Sequence, residues 1–381
     1  MIRVALLATD NREHHREYDL ASPYFGTAVE SLLQGLAQQP NLEIHVISCA
    51  QKPMVAPHKI ADNIWYHLLP VPKFGWLRTG YQGCIRAVRR KLKELRPDIV
   101  HGQGTERECA ISAAFSGFPN IVTIHGNLIQ IARSMKPRPG TYLWCAAKLE
   151  EITLPRTHGI ICNSAYTESV VRSRARQTWL VPNAVREAFF ETPSSNQRSP
   201  KPVLLTIGVV SPYKRQIDVL KIAEGLHQEG HDFQIKFIGV ANPMDPYARS
   251  FLNRLTKAAN YAEHCSSESL SHLITTIDSA SALIHLPSEE SFGLVVAEAL
   301  ARNLKFFGTD VGGLRDIADG VEGAELFAIG DSARIQSSIS DWMQSGCPLP
   351  TTAANEMRRR YHPDVIASRH AEVYSEIVAA R

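Results

Sequence analysis

The chain has 381 residues, too many for one ordinary hydrophobic core and enough for two domains of about 150 to 200 residues each. Apolar residues make up 44% and charged residues 21%, a globular composition that excludes disordered and collagen-like classes. The formal net charge is only +3, and no dense basic run is interleaved with aromatics, so no nucleic-acid partner is expected.

The first element, MIRVALLATD, is too short and polar-ended for a signal-peptide core and reads as a strand. EIHVISC, PDIVHG, NIVTIHG, GIICNS and TWLVPN follow as further strands, then PVLLTIG, FQIKFIG, SALIHLP and LKFFGT, with helical patterns between them. Continuous apolar strands alternating with helices predict parallel sheets covered on both faces. The Ser/Pro/Gln segment ETPSSNQRSPKP, residues 191–202, separates the two groups and reads as a linker. Two doubly wound α/β domains are therefore expected, residues 1–188 and 189–358. Residues 359–381, containing DVIASRHAEVYSEIVAA, form a final helix expected to pack back toward the first domain.

No run of about 18 apolar residues occurs, so no membrane-spanning helix is expected. Seven scattered cysteines, odd in number and without CxxC spacing, argue against a disulfide framework or zinc site and for a reducing, cytoplasmic compartment. The segment around residues 78–96 predicts a basic amphipathic helix. Ile85, Val88, Leu92 and Leu95 form one stripe, with Arg86, Arg89, Arg90, Lys91 and Lys93 around it. Such a helix either covers the first domain's sheet or attaches the protein peripherally to anionic lipid on the inner face of a membrane.

In doubly wound sheets ligands collect beyond the carboxyl ends of strands. Those ends carry His101, His125, Asn163, Asn183, Gly208, Glu289 and Glu290. Turn chemistry alone would place Gly, Asn and Ser there. LPSEESFGLVVAEALA, residues 286–301, carries more: a strand, a polar turn, then a helix start whose N–H groups suit a pyrophosphate. Glu298, one helical turn further, is placed for a ribose diol, and Glu290 for whatever lies across the phosphate.

PSEESFGLVVAEALA followed by GTDVGGLRDIADG, with TIHG (123–126), VPNAV (181–185) and IGVVSPYKRQ (207–216) in order, resembles the family 4-type retaining glycosyltransferases, glycosyl transferases group 1. The resemblance covers nearly the whole chain. It implies a GT-B fold, with two Rossmann-like doubly wound parallel-sheet domains facing a cleft, the first binding acceptor and the second the nucleotide sugar. It further implies that Glu290 contacts the donor sugar near the reacting carbon, that His125 reaches the same sugar, and that Lys214 holds the departing phosphate. Glu298 would take the ribose, and Phe292, Gly293, Leu294 and Val295 would border sugar and pyrophosphate. Gly208, Asn183, Gly26 and Thr27 complete the implied donor contacts.

The chain departs from the family pattern at Val209, where an arginine usually follows the glycine, and Arg215 is the candidate for restoring that charge. Ser291 stands where glycine is frequent, and Gly26-Thr27 replaces a double glycine. No Asp-x-Asp motif occurs, so neither a metal nor a cofactor is expected beyond the nucleoside diphosphate sugar as donor substrate. The function expected is retaining transfer of a hexose or N-acetylhexosamine from a UDP-sugar, with GDP-mannose as the second donor, to a glycan or lipid-linked acceptor. The alternatives are a non-catalytic or partner-dependent nucleotide-sugar-binding subunit of the same fold and a nucleotide-sugar epimerase. A nicotinamide dehydrogenase lacks its glycine fingerprint after the first strand.

Overall fold

The computed structural model describes residues 1–191, 201–266 and 269–380. Of the expected linker at 191–202, residues 192–200 lie outside the described residues. Contacts divide the chain into two compact units, Met1–Arg186 with Tyr361–Arg381, and Glu187–Arg360.

In the first unit β1 (Ile2–Leu7), β2 (Leu42–Ala50), β3 (Lys59–Ala61), β4 (Ile64–Pro70), β5 (Ile99–Gln103), β6 (Asn120–Ile124), β7 (Gly159–Cys162) and β8 (Thr178–Leu180) form one sheet. Its order is β3-β4-β2-β1-β5-β6-β7-β8. The pairs are parallel except β3 with β4, which is an antiparallel edge. The first strand shows why an unbroken apolar run was required. Val4, Leu6 and Ala8 pack with Leu32 and Leu36 of the helix Thr27–Leu36 and with Ile366 and Tyr374 of the helix Pro363–Ala379. Ala5 and Leu7 point the other way, toward Val88 and Leu92 of the helix Gln82–Leu95. Alternate side chains therefore serve two cores, one on each face. The C-terminal helix crosses Thr27–Leu36 so closely that a Cβ on Gly35 would lie 2.1 Å from the Pro363 carbonyl oxygen.

The helix Gln82–Leu95 has the expected stripe, but Ile85, Val88 and Leu92 are buried in that second core. The stripe therefore covers the first unit's sheet, and the face left to a membrane surface is the basic one. Arg86, Arg89, Arg90 and Lys93 stay exposed. Among the described residues no helix is long and apolar enough to cross a membrane.

The second unit has β9 (Val203–Ile207), β10 (Gln234–Ile238), β11 (Ala262–Cys265), β12 (Ala282–His285), β13 (Lys305–Thr309) and β14 (Ala324–Phe327), all parallel, in the order β11-β10-β9-β12-β13-β14. Its core joins Leu204, Phe237, Ile284 and Phe307 of the strands to Leu220, Ala223 and Ile339 of covering helices. Four strands escaped the sequence reading: β3, β4, β11 and β14. Each lies at or next to a sheet edge, where one flank stays partly open, so AEHC and AELF need no continuous apolar run.

Candidate active site

In the second unit the strand order reverses between β9 and β12, the switch point where a doubly wound sheet leaves a crevice at its carboxyl ends. The loop after β9 carries Gly208, Lys214 and Arg215, and the loop after β12 carries Glu290 to Gly293. The two loops are tied together, since the Ser288 backbone N–H donates to the Tyr213 carbonyl at 2.8 Å. Gln216 braces the first loop by donating to the Val209 carbonyl at 3.0 Å and accepting from the Ser211 N–H at 3.2 Å.

Between the loops the Lys214 Nζ sits 2.5 Å from Glu290 Oε2, with both side chains about five-sixths buried at 16% and 15% exposure. His285, the last residue of β12, donates from Nε2 to the same carboxylate oxygen at 2.9 Å. Burial alone would push the Glu290 carboxyl up. The Lys214 ammonium and the His285 hydrogen bond outweigh it and hold the carboxyl down at about 2. Burial, then Lys214, lowers the His285 imidazole, so at neutral pH the ring is an uncharged donor. The structure thus joins two residues that the sequence assigned to opposite sides of the scissile bond, and adds His285, which sequence reasoning missed. Its only signal was a histidine ending a strand five residues before Glu290.

The helix Leu294–Leu300 starts from Gly293 at φ 99°, and a Cβ there would lie 2.4 Å from Leu314 Cδ2. Glycine is needed to turn the chain and let the helix start sit against its neighbour. Leu294 and Val295 are half-buried at that start, and Phe292 is buried beneath it. Glu298 lies in the second turn and is 4% exposed, already engaged inside the protein. Val209 is 56% exposed, and Arg215 is bound to Asp218 at 2.8 Å. The charge that was to replace the missing arginine is therefore shared with a carboxylate.

In the first unit Gly26 is exposed at the start of the helix Thr27–Leu36, with open space where a Cβ would be and Thr27 half-buried beside it. The Glu30 carboxylate accepts from the Phe25 N–H at 3.0 Å and fixes the entry to that helix. His125 follows β6, and its Nε2 lies 3.0 Å from Gln103 Oε1. Gln103 donates in turn to His101 at 3.1 Å, and His101 meets the Tyr374 hydroxyl of the C-terminal helix at 2.8 Å. Among the described residues His125 Nδ1 is buried without a hydrogen-bond partner. Asn183 lies near enough to favour the imidazolium, but burial dominates and lowers the ring to about 4. At neutral pH Nδ1 is a vacant acceptor, suited to a hydroxyl.

That network makes the unit acid-sensitive. Burial lowers His125 and His370 to about 4 and lowers His101 as well, whereas an unfolded histidine titrates near 6.5. Between about pH 6.5 and 4 the unfolded chain binds more protons, so stability is lost as pH falls through that window. A full shift of this size corresponds to about 3 kcal/mol per ring. Burial raises the Glu106, Glu108 and Glu150 carboxyls, which favour the fold on acidification and offset part of the loss. The thermal unfolding midpoint should fall by several degrees from pH 7 to pH 5; a flat profile would contradict the burial of these rings.

Two α/β units, each with a switch-point crevice, have the architecture of the GT-B class. The family model "Glycosyltransferase Family 4" matches residues 26–189, and "Glycosyl transferases group 1" matches residues 188–361. The chain belongs to the glycosyltransferases of this family 4, group 1 type. It is similar in structure to a sucrose-phosphate synthase from Thermosynechococcus elongatus, at 16% identity and TM-score 0.79 over 100% of both chains. HepE of Anabaena, in complex with UDP and glucose, matches at 16% identity and TM-score 0.73 over 99% of this chain and 100% of that one. WaaG, a glycosyltransferase involved in lipopolysaccharide biosynthesis, matches at 14% identity and TM-score 0.69 over 96% and 99%. No curated protein matches the chain in sequence.

Proposed function

We propose that the chain transfers a hexose or N-acetylhexosamine, with retention, from a nucleoside diphosphate sugar to a glycan or lipid-linked acceptor. The observation that carries this reading is the Lys214–Glu290–His285 cluster at the second unit's switch point. A diphosphate arriving there finds a cation, and a sugar hydroxyl finds a carboxylate held ionised. The anomeric carbon–phosphate oxygen bond breaks while the acceptor oxygen bonds to the same face of that carbon. The acceptor proton passes to the departing phosphate, whose growing charge Lys214 stabilises. His125 Nδ1 accepts from a hydroxyl of the transferred sugar, and Glu298 takes the ribose after exchanging its present contacts.

A UDP-sugar is favoured over GDP-mannose, a preference supported by HepE, whose structures contain UDP and UDP-glucose. No metal is assigned a role, because Lys214 and helix-start N–H groups supply the neutralising charge. The exposed arginines of Gln82–Leu95 support peripheral attraction to an anionic inner membrane face through charge alone. The partner-dependent, non-catalytic reading is favoured by one observation, the exposed Val209 beside an Arg215 already paired with Asp218.

A panel of UDP, GDP and their sugars decides between them. The expected result is a rise in unfolding temperature with UDP and slow release of UDP from a UDP-sugar in the presence of EDTA. Nucleotide binding without release across the panel would overturn the catalytic reading, and release that requires a divalent metal would overturn the charge assignment.

A further inference from the structure

The first unit carries a cavity that the donor does not explain. Its strand order reverses between β1 and β5, so its own switch point lies there, at the carboxyl ends of β1, β2, β4 and β5. A cavity of ≈ 560 Å³ opens at those ends. Arg16 after β1, Lys52 after β2, Lys73 after β4 and Arg107 after β5 all line it.

Among the lining residues Glu13 is the one carboxylate, and its Oε2 accepts from the Gln51 backbone N–H at 2.9 Å. Arg107 donates to His14 Nδ1 at 2.9 Å and has Glu108 at 3.7 Å. Among the described residues Arg16, Lys52 and Lys73 make no ion pair, and all three are exposed. The wall therefore has an excess of positive charge that the protein itself does not neutralise. Cations entering from four separate loops suit an anion with several oxygens better than a single carboxylate.

Much of the rest of the wall is aromatic, with Tyr18, Trp76, Tyr81 and Tyr142. Lys52 lies over the Tyr18 ring at 4.9 Å and Arg107 over Trp76 at 5.5 Å, while Tyr142 is 51% exposed and donates to the Glu106 carbonyl at 2.7 Å. The exposed Tyr142 and part-exposed Tyr18 offer apolar ring surface to a sugar beside charges that suit its anionic group.

We infer that this cavity binds a saccharide carrying phosphate, and that the acceptor is such a molecule. The inference rests on the transferase reading above, which places the donor's diphosphate on the second unit and leaves the first unit's anion site to the other substrate. The chemistry is shared by a free sugar phosphate and a sugar linked through diphosphate to a lipid.

Titration calorimetry on the full chain tests it, with glucose 6-phosphate, mannose 6-phosphate and a short-chain polyprenyl diphosphate-linked glucose in detergent as probes. Glucose, mannose and detergent alone are the controls. At least one phosphorylated probe should bind, more weakly at high salt, and the neutral sugars should not. Binding of the first two identifies a free sugar phosphate as the source, and binding of the third alone a lipid-linked one.

In the double variant Lys52→Glu, Lys73→Glu, both at exposed positions, affinity for the bound probe should fall by about tenfold or more. The rise in unfolding temperature with UDP reports that the variant is folded. Equal binding of neutral and phosphorylated sugars, no binding of any phosphorylated probe, or unchanged affinity after charge reversal would overturn the proposal. Failure of UDP and GDP to bind the unaltered chain would instead remove the donor reading, so the two failures are distinguishable.

Discussion

Lys214→Ala is expected to lower the transfer rate constant by about 10²–10³, the usual loss when a fixed group aimed at developing charge is removed. Lys214 is the cation held against Glu290, and the leaving diphosphate gains negative charge as its bond to the sugar breaks. A second consequence follows from burial. Glu290 is 15% exposed, and without Lys214 its carboxylate keeps, among the described residues, the His285 hydrogen bond. Removing one partner of such a pair costs about 3 kcal/mol when the remaining charge is poorly solvated.

The pH dependence separates the two effects. With Lys214 present, the Glu290 carboxyl sits at about 2 against an ordinary value of 4.5. The pair therefore contributes stability above about pH 4.5 that disappears as pH falls toward 2. In Lys214→Ala that acid-side loss should shrink because the depression is gone. A Lys214→Ala, Glu290→Gln double variant should recover part of the stability and none of the turnover. Unchanged turnover in Lys214→Ala alone would show that another group neutralises the diphosphate.

Gly239→Ala is expected to destabilise the second unit by about 3 kcal/mol and to abolish nucleotide binding. Gly239 follows β10 at φ 147°, and a Cβ there would lie 2.1 Å from the Gly208 carbonyl oxygen and 3.1 Å from the Val209 nitrogen. The loops cannot simply separate, because the Gly208 N–H donates to the Ile238 carbonyl and the Val210 N–H to Val240, at 2.8 and 2.9 Å. Any shift displaces the start of the loop that delivers Lys214. Gly208→Ala is the control: its φ is 143°, but nothing lies within 4 Å of the added carbon. It should cost only the backbone strain, about 1–2 kcal/mol. Equal unfolding midpoints for the two variants would show that contact between the loops is not what fixes them.

These two predictions differ in how far the sequence leads to them. Lys214 and Glu290 stand in strings of residues whose order along the chain is itself the signal. Gly239 stands in FIGVANP, where a glycine after a strand is ordinary turn chemistry. Only the pairing of β9 with β10 shows that its hydrogen faces another backbone. His285 and Gln216 act on residues only five to seven positions away, but a lone histidine or glutamine at such a spacing forms no motif. The first unit's cation-lined cavity is the extreme case: Arg16, Lys52, Lys73 and Arg107 are spread over 92 positions and form no motif.

The basic helix Gln82–Leu95 is a different case. Its periodicity was read correctly, but periodicity states only that one face is apolar. The sheet of the first unit occupies that face.

By itself the sequence determined that strands buried on both faces alternate with helices, because apolar runs of that length are stable nowhere else in a chain of this composition. It also determined the residues around Glu290 and Lys214, since loop chemistry at strand ends is local. The tertiary structure alone decided which distant charges meet: Lys214 with Glu290, and Arg16, Lys52, Lys73 and Arg107 around one cavity. The physical reason is that electrostatic interaction depends on distance and burial, and strand order, which no short window of sequence encodes, sets both.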